Sequence, residues 1–235
     1  MGDLEELAEK YGSFLIFDTE TTGLQPETDE IIEFAAAVVT MSPYGLVVER
    51  QYDELIALSP EKELPPKITE LTGITPMDLY SRGISKAKFC QDLAGLLKDH
   101  PLLMAYNAQF DLSFLFYTLR RDGDIGCLRG LDKLDLLTVY RDRRAYPHKL
   151  AAAIEAYGLS GKVQNSHRAI DDVLATVAVL EEMAREKDDF LKYVNLFGYN
   201  ARYGISGKRI KTVRYAPQGY APAGPIYEQD LTEGV

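Results

Sequence analysis

Five side chains, far apart along the chain, are of the types that do chemistry. Asp18 and Glu20 end the apolar run Ser13-Phe14-Leu15-Ile16-Phe17-Asp18. In an extended strand, side chains two apart share a face. Two carboxylates so placed repel each other, and a cation between them relieves the repulsion. Asp111 lies one turn into a segment that follows Asn107, a residue suited to capping a helix. His167 and Asp172 open the last long amphipathic segment. Five residues turn about 500° on a helix, so the two face apart if both are helical and share one site if His167 sits in the loop before it. Asp171 points about 100° from Asp172 and is read as a solvated or helix-dipole acid. Taken singly, each feature has a structural explanation. Such explanations are solvated acids at a loop entrance, an acid favourable to a helix dipole, and a histidine beside a helix start. Taken together, the four acids supply the oxygen ligands that hard cations prefer.

The elements that must position these residues are legible in outline. Residues 13–18, 31–41 and 45–56 read as three strands in an antiparallel meander, the last two joined through Ser42-Pro43-Tyr44-Gly45. Thr19 to Glu30 is turn-rich. The proline-containing stretch from Leu64 to Pro76 reads as a connection with one short helix. Residues 84–98 have helical spacing, 101–106 form a short apolar strand, and Asn107 caps a helix over 108–120. Gly123 to Gly130 reads as a loop, 132–145 as a strand end and helix, and 148–157 as a helix stopped by Gly158. A long helix starts near Ser166 or His167 and ends near Lys187, with Ile170, Val173, Leu174, Val177 and Leu180 on one face. Strands first, then strands alternating with helices, predict a layered α/β or α+β domain.

Composition sets the class. The chain has 235 residues, 46% hydrophobic and 26% charged, which fits one or two folded domains. No apolar run approaches the ~18 residues that span a bilayer. The acidic start lacks a secretory pattern, and Cys90 and Cys127 fit neither a disulfide framework nor metal-ligand spacing, so reduced thiols in a cytoplasmic protein are expected. The net charge of −10 is uneven: residues 1–189 carry −13 and residues 190–227 carry +6 with no acid. We divide the chain into a domain over 1–190 and a basic, tyrosine-rich extension over 191–235. Tyr193, Tyr199, Tyr203, Tyr215, Tyr220 and Tyr227 lie among its cations. That mixture suits base stacking with phosphate contacts, an anchored extension on the acidic body, or a docking segment. Arg141, Arg143 and Arg144 read as a solvated helix face, with a DNA-backbone contact as the alternative. His148 reads as a cap or surface residue, with a substrate phosphate contact as the alternative, and His100 as structural.

The order of the motifs resembles the DEDDh 3′–5′ exonucleases, the DnaQ-like group with a ribonuclease H-like fold. The residues that carry it are Phe17-Asp18-Thr19-Glu20-Thr21-Thr22-Gly23-Leu24, Tyr106-Asn107-Ala108-Gln109-Phe110-Asp111 and His167-Arg168-Ala169-Ile170-Asp171-Asp172. Leu71-Thr72-Gly73-Ile74-Thr75 and Leu134-Asp135-Leu136-Leu137 are lesser matches, and the resemblance covers about residues 12–187. One departure is Tyr106, where family members commonly have histidine. The resemblance implies an α/β, ribonuclease H-like fold: a mixed central sheet with an antiparallel meander, flanked by helices. It implies two divalent metals, Mg²⁺ or Mn²⁺, with Asp18 bridging both, Glu20 and Asp172 on the ion that activates water, and Asp111 supporting the other. His167 is the implied general base, its ordinary pKa of about 6.5 being apt for the task. Thr19, Thr21, Thr22, Gly23, Leu24, Asn107 and Phe110 are the expected substrate contacts. The implied reaction is hydrolysis at the 3′ end of DNA, releasing nucleoside 5′-monophosphates, with a DNA polymerase subunit as partner and no membrane. An RNA exonuclease and a non-catalytic docking module of the same fold are the alternatives.

Overall fold

The computed structural model describes residues 2–164, 166–200, 202, 204–205, 207–219 and 224–229. The chain begins with a short amphipathic helix, α1 (Asp3–Tyr11), which buries Leu4 and Leu7. Then come β1 (Phe14–Thr21), β2 (Ile31–Ser42) and β3 (Gly45–Leu55). The proline stretch forms two helices rather than one, α2 (Pro66–Thr72) and α3 (Pro76–Arg82), because Pro66 and Pro76 each start a helix. α4 (Lys86–Leu97), β4 (Leu102–Ala105) and α5 (Ala108–Asp122) follow. The stretch read as a loop holds one 3₁₀ turn, Ile125–Leu128. β5 (Lys133–Asp135), α6 (Leu136–Arg143), α7 (Leu150–Ala156) and α8 (Ala169–Glu186) complete the body.

The five strands form one sheet in the order β3-β2-β1-β4-β5. β1, β2 and β3 are antiparallel neighbours, whereas β4 and β5 run parallel to β1. This is the mixed α/β sheet with a meander that the resemblance implies. Strand alternation sorts the core into two layers. Phe14 and Ile16 of β1 pack with Met104 under α8 and α6, while Leu15 and Phe17 pack with Leu103 under α4 and α5. Parallel pairing puts the ends of β1 and β4 on one side of the sheet, so the chain leaves both strands at one rim.

Two boundaries differ from the sequence reading in ways that matter. β1 continues through Thr21, because Thr19, Glu20 and Thr21 pair with Phe34, Glu33 and Ile31 of β2, the register slipping by one residue between Glu20 and Thr21. α8 starts at Ala169, with extended Arg168 as its cap, and His167 lies outside it at φ 57°.

The segment after α8 packs on the body. β6 (Leu196–Tyr199) and β7 (Arg214–Pro217) form a small parallel pair, and Phe197 and Tyr215 join one core layer while Leu196, Ala216 and Ile226 join the other. Tyr193 and Tyr215 are buried and so cannot stack on a base, while Tyr203 and Tyr220 lie outside the described residues. Entry and exit of the body meet. The Leu4 amide donates to Asp188 at 2.9 Å, and the Leu191 amide donates to Asp3 at 3.0 Å. No helix among the described residues is long and apolar enough to cross a membrane.

Candidate functional site

The acids gather at the rim where β1 and β4 end. Asp18 and Glu20 continue the Phe14-Ile16 face of β1, the face that α8 covers. Because His167 is in the loop and Asp172 is one turn into α8, the two meet. One donor atom from each of Glu20, His167 and Asp172 lies within 4.8 Å of the others. Asp171 takes the other role, accepting a hydrogen bond from the Ser166 hydroxyl. Asp18 and Asp111 do not join that 4.8 Å group but flank it, as their electrostatics show.

Asp111 arrives from the opposite face of the sheet. Thr19 points that way, and both its amide (3.0 Å) and its hydroxyl (2.6 Å) donate to one Asp111 oxygen. Asn107 does not cap α5 through its side chain. It stands in the left-handed region at φ 78°, and Asp135 caps the helix instead. The Asp135 carboxylate accepts from the amides of Asn107 and Ala108, each at 3.0 Å, and from Thr138. Asp135 therefore fixes the helix that presents Asp111. Tyr106, in the histidine position, points the other way into the core and donates to the His148 carbonyl at 2.8 Å.

A second support is Glu33, fully buried on β2 opposite Glu20. It accepts from Arg168 Nε and the Ala169 amide, both at 2.9 Å. It thereby pins the corner between His167 and α8. The sequence reading missed both supports. The signal for Glu33 is an acid in the apolar run Ile31-Ile32-Glu33-Phe34-Ala35, since a buried charge needs a partner. Asp135 gave only a weak signal, a lone acid between a short strand and a helix.

The loop from Thr22 to Glu30 is tied shut. The Thr22 amide donates to the Glu30 carbonyl at 2.9 Å, and the Glu30 amide donates to the Thr22 hydroxyl at 3.0 Å. The Thr21 hydroxyl donates to the Gly23 carbonyl. A Cβ on Gly23 would come within 2.3 Å of an Asp29 oxygen, so any larger residue there must displace the Asp29 carboxylate that accepts from the Gln25 amide. The side chains of Thr21 and Thr22 are thus used inside the loop, which presents Leu24, 77% exposed, to solvent. Phe110 is half-buried against Phe114, with ring centroids 4.9 Å apart. Arg143 is not on a solvated face. It lies almost wholly inside and donates to Asp189 and to the Met183 carbonyl, because α6 packs against the end of α8.

Electrostatically the cluster is overloaded with acid. Burial, then repulsion from Asp111, Glu20, Asp172 and Glu33, holds the Asp18 carboxyl well above its usual range. Burial and the same kind of repulsion push Glu20 up to about 8, with Arg168 opposing. Burial lifts Asp111 to about 7 despite the Thr19 bonds. Buried carboxylates driven toward protonation, beside an imidazole, form a donor set that a hard divalent cation relieves. The residues present therefore fit such an ion.

Comparison with known proteins agrees with this geometry. Residues 15–180 match the RNase_T family, described as Exonuclease. A DNA polymerase III PolC-type protein of Thermotoga maritima is 33% identical over 168 residues, covering 71% of this chain but 11% of that protein. A DNA polymerase III subunit epsilon of Treponema pallidum is 37% identical over 106 residues, 44% of each chain. This chain thus spans a small part of the PolC-type relatives. The structure of E. coli exonuclease I in complex with a dT13 oligonucleotide superposes with a TM-score of 0.67 over 77% of this chain and 43% of that one. Its sequence identity is 22%, a likeness of fold. With the family pattern spanning most of its length and the acids converging at one rim, this chain belongs to the RNase_T exonuclease family.

Proposed function

We propose that the protein is a 3′–5′ exonuclease that hydrolyses the terminal phosphodiester of DNA and releases nucleoside 5′-monophosphates. The observation that carries this is the convergence of Glu20, His167 and Asp172 within 4.8 Å, flanked by Asp18 and Asp111. Two divalent ions, Mg²⁺ or Mn²⁺, held by Asp18, Glu20, Asp111 and Asp172 would acidify water and offset charge building on the phosphate oxygens.

The chain's own groups do the rest. His167 stands exposed on its loop, within reach of Glu20 and Asp172, and takes the proton from the attacking water. Glu33 holds that loop through Arg168, and Thr19 and Asp135 hold Asp111, so the acids are positioned before substrate arrives. Phe110, Asn107 and the stretch Thr19, Thr21, Thr22, Gly23 and Leu24 are the proposed contacts to the terminal nucleotide, supported by the exposure of Leu24 and the half-buried ring of Phe110. Single-stranded 3′ ends are the proposed substrate; the exonuclease I structures that hold dT13, dA16 and ssDNA support the single-stranded part of that reading. A polymerase partner and a cytoplasmic location belong to the same proposal, supported by the polymerase III names of the relatives.

Purified protein should shorten 5′-labelled single-stranded DNA and mismatched-end duplex from the 3′ end with Mg²⁺ or Mn²⁺, and stop in EDTA. RNA should be cut more slowly. Absence of metal-dependent product, or products that begin at the 5′ end, would overturn the proposal.

A further inference from the structure

On another side of α5 from Asp111 the structure holds a second site. Gln109, Ser113, Phe116 and Tyr117 share one side of the helix, and the basic segment 207–212 lies against it. Gln109 donates to the Lys208 carbonyl. Gly207 sits at φ 69° so close to Ser113 that a Cβ would fall 2.0 Å from its hydroxyl, so this approach requires glycine.

Between this segment, α5 and the Ile125–Leu128 turn is a cavity of about 390 Å³. Leu112, Phe116, Leu128 and Ile210 give it apolar walls, and Phe116 remains 38% exposed. Arg129, Lys208, Arg209 and Lys211 ring it, and no carboxylate is among the described residues that line it. Lys133 also lines it and is 4% exposed. Its ammonium donates to the Leu131 carbonyl at 2.7 Å and to the Thr212 hydroxyl at 3.2 Å, which uses two of its three protons. The neighbouring acid, Asp132, is engaged by the Tyr11 hydroxyl and Asn195, each at 2.6 Å. Burial lowers the Lys133 pKa, as it should for an ammonium with no carboxylate in contact. Among the described residues Arg129, Lys133 and Lys211 form no ion pair.

Apolar walls with an aromatic edge, a buried donor with a spare proton, and unpaired cations at the mouth describe one kind of ligand. It has a flat apolar ring with an acceptor on its edge, carried on a polyanionic backbone. We propose that this cavity takes a nucleobase of single-stranded nucleic acid a few nucleotides upstream of the end being cut, with Lys133 donating to the base and Arg129 and Lys211 meeting the phosphates. The proposal rests on the nuclease reading above and deepens it.

The position of the cavity supports this occupant over an acidic peptide, because its rim continues into the loop beside the acids. Lys208 lies 3.5 Å from Glu27 of that loop and 5.2 Å from the Tyr117 ring. The Tyr117 hydroxyl donates to Glu27 at 3.1 Å, and Arg121 donates to the Glu27 carbonyl at 3.3 Å. A strand leaving the acids past Leu24 therefore meets cations next.

The test uses the full chain, in EDTA so that nothing is cut, and follows fluorescence anisotropy of a labelled long oligothymidylate against salt. The double variant Arg129→Glu, Lys211→Glu should bind at least tenfold more weakly. Its slope of log affinity on log salt should be shallower by about 1.4, the value for two single-strand phosphate contacts. Phe116→Ala should weaken binding several-fold and leave the slope alone. Both changes are at exposed positions, and Lys133→Met provides a third variant with a circular-dichroism check of folding. Unchanged affinity and slope overturn the proposal, as does a wild type that binds no oligonucleotide at low salt. An acidic peptide of equal charge that binds more tightly than the oligonucleotide, and is lost in the same variants, also overturns it. With Mg²⁺ present, hydrolysis of a thymidine dinucleotide, too short to reach the cavity, should be equal in wild type and variants. A wild type that binds the long strand through the cavity yet hydrolyses neither substrate would sink the nuclease reading while leaving the cavity in place.

Discussion

Glu20 shows most directly what the acidic cluster costs the fold. In the unfolded chain its carboxyl ionises near its ordinary value of about 4.3. In the folded protein burial and neighbouring acids raise that value to about 8. Between those values the native state binds a proton that the unfolded state has lost, so stability present below about pH 4.3 drains away as pH rises through 8. Glu20→Gln should therefore raise the melting temperature of metal-free protein more at about pH 8 than at about pH 5. Equal gains at both would refute the assignment. Mg²⁺ should stabilise wild type more than this variant, since an ion that binds only the native state adds to stability. Asp18→Ala and Asp172→Asn should each abolish metal-dependent hydrolysis while circular dichroism stays native. His167→Ala should cut turnover at neutral pH more than metal affinity, and an unaltered rate–pH profile would speak against proton transfer by that ring.

At the scale of elements, two buried acids tie the acidic cluster to its scaffold. Glu33 joins β2 to the start of α8, and Asp135 joins the end of β5 to the start of α5. Glu33→Gln and Asp135→Asn keep the shape but turn an acceptor into a donor facing amides. Each should lower stability by about 1–3 kcal/mol in urea titrations. Each should also reduce kcat more than it raises KM, because the acids move while the substrate groove stays. These two ties also mark what the sequence did and did not disclose. Asp18, Glu20, Asp111, His167 and Asp172 stood out through the resemblance of their motif order to the DEDDh exonucleases, each being unremarkable alone. Glu33 and Asp135 carry local signals, an acid in an apolar run and a family-like segment, but their roles depend on partners distant in sequence that those signals do not name. The meander, α4 and α8 were legible from alternation and helical spacing. α1 was not, as its nine residues read as an acidic start, and Arg143 was not, because its burial depends on how α6 meets α8. Asn107 looked like a cap by type, yet the backbone turns left-handed there and Asp135 takes the task.

Over the whole molecule, the charge imbalance becomes a spatial arrangement. The acidic body carries a basic segment that packs along α5 beside the Thr22–Glu30 loop, and its β6 and β7 enter both core layers. Deleting residues 198–235 would remove Val213, Tyr215, Ala216 and Ile226 from the two core layers. The deletion should therefore lower the melting temperature markedly, as checked by calorimetry, and not merely weaken nucleic-acid binding. A truncated protein that melts like wild type would show that the small sheet adds nothing to the core. Charge reversals on the packed segment are the cleaner probe of its contacts.

The two reciprocal bonds between the first and last parts of the body, Leu4 to Asp188 and Leu191 to Asp3, make its doorway a single one. The segment after Leu191 returns to the same corner, where Lys192 donates to the Tyr227 hydroxyl at 3.2 Å, so a polypeptide carrying the unit through Tyr227 could interrupt itself at a surface turn and resume close to where it left off. In the PolC-type relative of Thermotoga maritima the matching part is 11% of the length. Grafted into a loop of an unrelated host, the unit should fold without stretching its carrier.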